Sequence, residues 1–366
     1  MHRPLLASIT KWGYTGILKP IFFKLDPEKV HERALHSGVS LGRNQTARKL
    51  ITKALGKRYT SLRRTVDGVR YPSPIGLAAG FDKNGELMDI LPSIGFGFME
   101  VGSVTKRSYL GNTGKRLVRA PHVKGIFVNY GLKSEGAESV ATRLANYRKQ
   151  EPTEPFPVGV SVAPTNDGRC TDPSLMVEEY VWGVKHFEEL ADYITLNLSC
   201  PNTSCGQPFL EASNLRMLLD SLPAVSIPLY LKLSPDKQDD RIIELLTIAA
   251  DYPTVKGVVL GNLTKDRTKL KDAERYANVQ GGLSGKTLYP RTLSLITSIR
   301  EKFGDRFTLI ACGGISSAAE VYELEKAGAS LVQLITSIIY NGPSSIALMS
   351  ADLDSLYRLQ GAPSRG

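Results

Sequence analysis

From residue 74 onward, short apolar runs alternate with stretches of helical periodicity. The runs are 75–79 (Ile-Gly-Leu-Ala-Ala), 97–102, 157–162, 193–198, 228–233, 256–260, 307–311 and 329–334. Each is close to continuously apolar rather than alternating, which predicts a strand buried on both faces. Such strands separated by helices imply a parallel sheet, and eight of them imply closure, giving an α/β chain built on a (β/α)8 TIM barrel.

The first 64 residues follow a different pattern. Leu5, Ile9 and Trp12 fall on one face of a helix, and Pro20 is expected to break it. Asp26-Pro27 reads as a cap with proline at the first helical position, opening a helix through about Ser37. Asn44 caps a third, basic stretch at 45–57. The expected organisation is an N-terminal helical extension over 1–64 and a catalytic barrel over 65–366.

Charge sharpens this division. The chain carries a net charge of +10, yet residues 1–64 hold 14 Lys/Arg against Asp26, Glu28 and Glu32, leaving the remainder near neutral. A basic segment suits anionic lipid or nucleic acid. Here the aromatics cluster with aliphatic residues beside lysines, the composition of a helix lying in a lipid interface. Peripheral membrane contact is therefore expected, and nucleic acid is not. A segment packed on the barrel with its charges solvated, or a transit peptide, would share this composition. No run of 18 apolar residues occurs, so no spanning helix is predicted. The four cysteines, Cys170, Cys200, Cys205 and Cys312, fit neither a disulfide framework nor a zinc site, so no metal is expected.

In a barrel of this kind chemistry collects at the C-terminal ends of the strands. Those ends carry Ala79, Gly80, Asp82 and Lys83; Ser103 and Thr105; Asn197 and Cys200; Lys232; Asn262; Cys312-Gly313-Gly314; and Thr336-Ser337. Gly313 and Gly314 let backbone approach a ligand, and loops after strands seven and eight often hold phosphate. Gly281–Gly285 is expected to be a flexible lobe. Lys232, between apolar neighbours, needs a partner of negative charge, either a ligand or a barrel carboxylate. Cys200 lies just past an apolar strand, between Asn197 and Asn202, and is placed for proton chemistry; a buried structural thiol is the plainer alternative.

The stretches Leu25-Asp-Pro-Glu28 through His31, Gly76-Leu-Ala-Ala-Gly-Phe-Asp-Lys83-Asn-Gly-Glu86, Gly95-Phe-Gly-Phe-Met-Glu-Val-Gly-Ser-Val-Thr105, Gly281-Gly-Leu-Ser-Gly285 and Ala327-Gly-Ala-Ser-Leu-Val-Gln-Leu334 together resemble the dihydroorotate dehydrogenases. The similarity is greatest to the quinone-using, membrane-associated class 2. It covers nearly the whole chain. The resemblance implies FMN at the barrel mouth, touched by Ala79, Gly80, Lys83, Ser103, Ser161, Asn197, Lys232, Gly285, Gly313, Gly314, Thr336 and Ser337. It implies that dihydroorotate is bound by Lys83, Asn129, Asn197, Asn202 and Asn262, and that Cys200 is the base that takes the C5 proton while hydride leaves C6. It places His31, Arg116 and Arg119 near a quinone site, and the enzyme on a membrane, the cytoplasmic face of a bacterial inner membrane before a mitochondrial one. Several positions depart from the family pattern. Cys200 replaces the serine of class 2 and matches class 1. Val128 stands where an asparagine is expected, with Asn129 displaced by one; Ser161, Leu263 and Ile335 are further departures. The alternatives are a class 1-like reaction with fumarate or another soluble acceptor, and a flavin barrel acting on another dihydropyrimidine, such as dihydrouridine in tRNA.

Overall fold

Each of the eight apolar runs forms a barrel strand in the computed structural model, which describes residues 4–150, 155–169, 172–204, 206–268, 270 and 273–363. Cys170 and Cys205 lie outside the described residues. The barrel strands, taken in order, are Ile75–Leu77, Phe98–Val104, Val158–Val162, Tyr193–Asn197, Leu229–Leu233, Val255–Leu260, Thr308–Cys312 and Leu331–Leu334. All are parallel, neighbours follow chain order, and the eighth pairs with the first to close the ring. Helices separate them and bury their apolar faces against the outside of the barrel.

Side chains alternate along each strand, so inward positions form layers. The lower layer is apolar: Phe98, Tyr193, Tyr230, Val259, Ile310 and Leu331 pack together with Tyr71. Room for the rings comes from glycine. A Cβ on Gly76 would fall 2.3 Å from the Phe98 ring, and one on Gly159 would fall 2.1 Å from the Tyr193 ring. A hairpin, Arg64–Val66 with Val69–Tyr71, lies against this floor, and its Asp67 accepts from the Tyr230 hydroxyl at 2.7 Å. Its turn is Asp67-Gly68, both at positive φ. Two residues further along the strands the interior turns polar, with Glu100, Ser161, Thr195, Lys232 and Gln333 all buried. The barrel is thus a packed apolar plug carrying a polar layer beneath its mouth.

A second, antiparallel sheet stands over the mouth: Leu117–Ala120, Gly125–Val128 and Gly282–Gly285. The glycine-rich stretch is therefore a paired strand and not a flexible lobe. Its glycines permit close approach, since a Cβ on Gly285 would sit 2.4 Å from the Lys124 carbonyl.

The N-terminal segment is helical over Leu5–Gly13, Tyr14–Leu18 and Lys19–Phe22, then over Pro27–Arg43 and Gln45–Leu55. Pro20 does not break the first helix. The turn before it is a π-turn, with the Lys19 N–H bonded to the Tyr14 carbonyl five residues back, and Pro20 falls in the first turn of the next segment. Asp26 caps as expected, accepting from the N–H groups of Glu28 and Lys29, and Asn44 accepts from Ala47. The middle helix continues past Ser37 to Arg43, because Gly38 and Gly42 are seats for Leu87 and for Asp89–Ile90 rather than stops. Ala7 is fully buried with Leu55, Ala347 and Leu348, and the Tyr14 hydroxyl donates to the Ile339 carbonyl. On the outer side Leu5, Leu6, Ile9, Trp12, Ile17, Leu18 and Ile21 are exposed. Among the described residues no helix is long and apolar enough to cross a membrane.

Candidate active site

A chain of hydrogen bonds crosses the barrel mouth from strand to strand. Ser161 Oγ meets Ser103 Oγ at 3.0 Å, and Asn197 Nδ2 donates to Ser103 Oγ at 2.7 Å. Asn197 Oδ1 accepts from the Ser199 hydroxyl at 3.0 Å, and Asn262 Nδ2 donates to that hydroxyl at 2.7 Å. Four predicted site residues, Ser161, Ser103, Asn197 and Asn262, thereby form one network. Ser199, which joins them, went unnoticed in the sequence because a serine beside Cys200 carries no signal of its own.

Below this network lies a charged pair. Glu100, with no exposed surface, accepts through Oε2 from Thr195 at 3.0 Å and from Gln333 at 2.8 Å. Its other oxygen has no hydrogen-bond partner among the described residues and stands 3.9 Å from Lys232 Nζ. Lys232 therefore has a barrel carboxylate nearby, beyond direct hydrogen-bonding distance. Cys312 lies close enough to feel both charges, and burial raises its thiol pKa.

Cys200 lines a cavity with Tyr180, Asn197, Thr203, Gln207 and Phe209. The Tyr180 hydroxyl donates to the Asn197 carbonyl at 2.8 Å and so ties this wall to the fourth strand. Burial pushes the Cys200 thiol up to about 11; a backbone N–H bond from Asn202 and the charge of Lys265 oppose that shift without cancelling it. Proximity of positive charge is not what governs this thiol.

Lys83 follows the first strand. Asp82 beside it is buried and spends its carboxylate on the N–H groups of Asn84, Glu86 and Leu87. Among the described residues Lys83 forms no ion pair. Its ammonium lies 3.9 Å from the centre of the Tyr130 ring. Burial, then the charge of Lys133, lower its pKa to about 8, with Asp82 and Glu28 pulling the other way. A shielded cation facing a second cation favours a negative charge placed beside it.

The remaining asparagines bind one another. Asn202 Nδ2 donates to the Val128 carbonyl, and Asn112 Nδ2 donates both to the Asn202 carbonyl and to Asn129 Oδ1. Asn129 Nδ2 donates to Gln280. Both ends of the Asn129 carboxamide are thus engaged within the protein, and Val128, in the place expected of an asparagine, is a strand residue paired with Gly282 and Leu117.

The opposite side of the mouth is built from backbone. Gly80, Gly285, Gly313 and Gly314 all take positive φ, and a Cβ on Gly314 would strike the Tyr289 amide at 2.3 Å. Ala79 adjoins Gly80 in the turn after the first strand. Ser284 and Thr336 hydroxyls meet at 2.7 Å, and Ser337 accepts from Asn341.

His31, Arg116 and Arg119 gather where the N-terminal helices meet the barrel. His31 stands edge-on to Phe81 at 4.8 Å, and burial with the Lys83 charge holds its pKa to about 3, so the ring is neutral. Arg119 donates to the Leu25 carbonyl at 2.7 Å and lies 4.9 Å from the Phe23 ring centre. Among the described residues it has no carboxylate partner. Arg116 pairs with Glu28.

The family model for dihydroorotate dehydrogenase matches residues 61–356. A quinone-type dihydroorotate dehydrogenase of Chloroflexus aurantiacus is 36% identical over 341 residues, covering 89% of this chain and 92% of its own. One from Methylococcus capsulatus is 34% identical, covering 91% and 97%. Among solved structures, the ligand-free Eimeria tenella enzyme superimposes with a TM-score of 0.82 at 26% identity, covering 93% of this chain. The same enzyme in complex with ferulenol gives 0.79 at 25% identity.

Proposed function

The chain belongs to the dihydroorotate dehydrogenase family, and from that premise we infer that it oxidises dihydroorotate to orotate in pyrimidine biosynthesis and passes the electrons to a quinone. It is an FMN-dependent flavoprotein, as its family is. The residues at the mouth suit that cofactor. Four glycines at positive φ line one side, three of them (Gly285, Gly313 and Gly314) so close to neighbouring protein that no Cβ would fit, and Lys232 presents a buried cation that its nearest carboxylate does not reach directly. We propose that Gly285, Gly313, Gly314, Thr336 and Ser337 hold the phosphate end, with Ala79, Gly80, Ser103, Ser161 and Asn197 against the ring. Bound there, FMN would supply a two-electron hydride acceptor beside the substrate and a donor toward the quinone.

The chain's own residues supply the rest. Cys200 as thiolate takes the C5 proton and becomes a thiol, while the electrons of that C–H bond enter the new C5–C6 double bond. Lys83 meets the substrate carboxylate, and Asn197, Asn202 and Asn262 orient the ring through carboxamides already fixed in networks. Asn129 serves this group by holding Asn112 and the loop that carries Asn202, a more indirect part than direct ligation. Lys232 balances negative charge that develops beside it. His31 and Arg119 flank the route by which quinone enters from a membrane, along a segment whose apolar side chains face outward. The bacterial cytoplasmic face is the setting that we propose, with peripheral attachment through residues 1–64.

The observation that carries this reading is Lys83, over the Tyr130 ring and without an ion pair among the described residues, just past the first barrel strand as Cys200 is just past the fourth. Purified protein is expected to be yellow, and anaerobic dihydroorotate is expected to bleach it with one orotate formed per flavin. Colourless protein that no added FMN turns yellow, or a flavin that dihydroorotate leaves oxidised, would refute the assignment. Cys200, a class 1 feature, favours a soluble acceptor as the second reading. Fumarate and a short-chain quinone assayed side by side separate the two.

A further inference from the structure

Lys83 and the N-terminal helix are joined through one aromatic ring. The Lys83 ammonium lies 3.9 Å from the Tyr130 ring centre, and the Arg116 guanidinium lies 5.4 Å from the same centre. Two cations on one ring repel each other, and the arrangement holds because Glu28 neutralises one of them. Glu28 takes both Arg116 Nε, at 3.1 Å, and Arg116 NH2 in a two-point ion pair. Glu28 belongs to the first turn of the helix Pro27–Arg43, whereas Tyr130 and Arg116 flank the antiparallel sheet over the mouth. Such a two-point contact fixes direction as well as charge.

We propose that Glu28 is a positioning residue for substrate binding: by pairing with Arg116 across Tyr130 it keeps Lys83 protonated, so the affinity of the site for its anionic substrate depends on the N-terminal helix being seated. This rests on the reading of Lys83 as the cation that meets the substrate carboxylate. The groups facing Lys83 are Asp82 on its own loop, Lys133 after the strand Gly125–Val128, Arg116 before the strand Leu117–Ala120, and Glu28 and His31 on the N-terminal helix. His31 is neutral across the working range, and Asp82 is committed to backbone N–H groups. Glu28 is therefore the carboxylate from outside the barrel whose removal changes the balance. The direction is fixed. Glu28 raises the Lys83 pKa and Arg116 lowers it, so loss of Glu28 removes the first influence and unmasks the second. Orotate binding should then fail at a lower pH than in the parent.

The test is orotate affinity of the oxidised, FMN-loaded enzyme, followed by the flavin difference spectrum from pH 6 to pH 9. Comparing variants cancels the titration of the ligand itself. Glu28→Gln is expected to match the parent near pH 6 and to bind at least threefold more weakly at pH 8.5, with Glu28→Asp restoring part of the loss. Arg116→Met should move the same alkaline limb upward. A purely structural role for Glu28 would weaken binding equally at every pH, and that outcome, or limbs that superimpose, overturns the proposal. Lys83→Met is the control for the underlying reading: if it binds orotate as tightly as the parent at pH 6.5, Lys83 is not the substrate cation and both readings fall together. FMN content of each variant reports that the barrel is intact.

Discussion

At the scale of single residues the decisive quantity is the protonation of Cys200. A thiol acts as a base only as thiolate, and burial sets this one at about 11. The folded site favours the neutral thiol, so the reactive form is a small minority at pH 7 and grows as pH rises toward about 11. Lys83 runs the other way: it titrates at about 8 and must keep its proton to hold a carboxylate. The flavin-reduction rate at saturating dihydroorotate is therefore expected to climb with pH, while substrate affinity declines above about pH 8. Stopped-flow reduction across pH 6–9.5 separates the two limbs. Cys200→Ala should lower the rate by about 10²–10⁴, the usual worth of a positioned base, with FMN content unchanged. A pH-independent rate in the parent, or a parental rate in the alanine variant, removes Cys200 from the role. Cys200 itself was legible in the sequence, since a thiol past an apolar strand is an unusual placement. Glu100 was not: it sits in the run Phe-Met-Glu-Val, and only strand direction reveals that it points inward beside Lys232. Asn129 was legible as an amide near the mouth, but its engagement with Asn112 and Gln280 depends on contacts made from distant parts of the chain.

At the scale of elements, the barrel strands announced themselves because burial on both faces leaves little room for polar residues. Shorter strands carried too few positions for a pattern. Leu117–Ala120 and Gly282–Gly285 are four residues each, and the latter pairs with the distant Gly125–Val128, which is why the glycine-rich stretch read as a loop. The hairpin beneath the barrel leaves a signal, Asp67-Gly68 at its turn, but its strands of three residues each are too short to show a pattern. Pro20 misled for a physical reason, since a π-turn ahead of it removes the hydrogen bond that proline would have broken. These N-terminal elements cover the seam holding His31 and Arg119 without entering the polar layer of the barrel. Deleting residues 1–56 should consequently abolish turnover with a membrane quinone while dihydroorotate still bleaches the flavin, more weakly bound once Glu28 is gone. Steady-state assays at low quinone, paired with single-turnover reduction, test this. Quinone turnover that survives the deletion at low quinone would detach the acceptor site from these helices.

At the scale of the whole molecule, charge and apolar surface are segregated together. Residues 1–64 carry a net +11 and also present Leu5, Ile9, Trp12, Ile17 and Ile21 to solvent, whereas the rest of the chain is close to neutral. Contiguous exposed apolar side chains are costly unless something covers them, and lysines beside them favour an anionic surface. The two contributions answer to different variables. Electrostatic attraction is screened within a Debye length of about 10 Å at 0.1 M salt, whereas apolar insertion is not weakened by salt. Co-sedimentation with vesicles containing phosphatidylglycerol should therefore exceed that with phosphatidylcholine alone at low salt, and the difference should shrink at about 0.5 M salt by screening. Trp12→Glu with Ile9→Glu should weaken binding to both lipids at every salt concentration, because those side chains occupy the exposed face. Equal partition of parent and double variant onto anionic vesicles would show that the apolar face does not insert. The quinone would then have to reach the seam by a route other than the lipid beneath these helices.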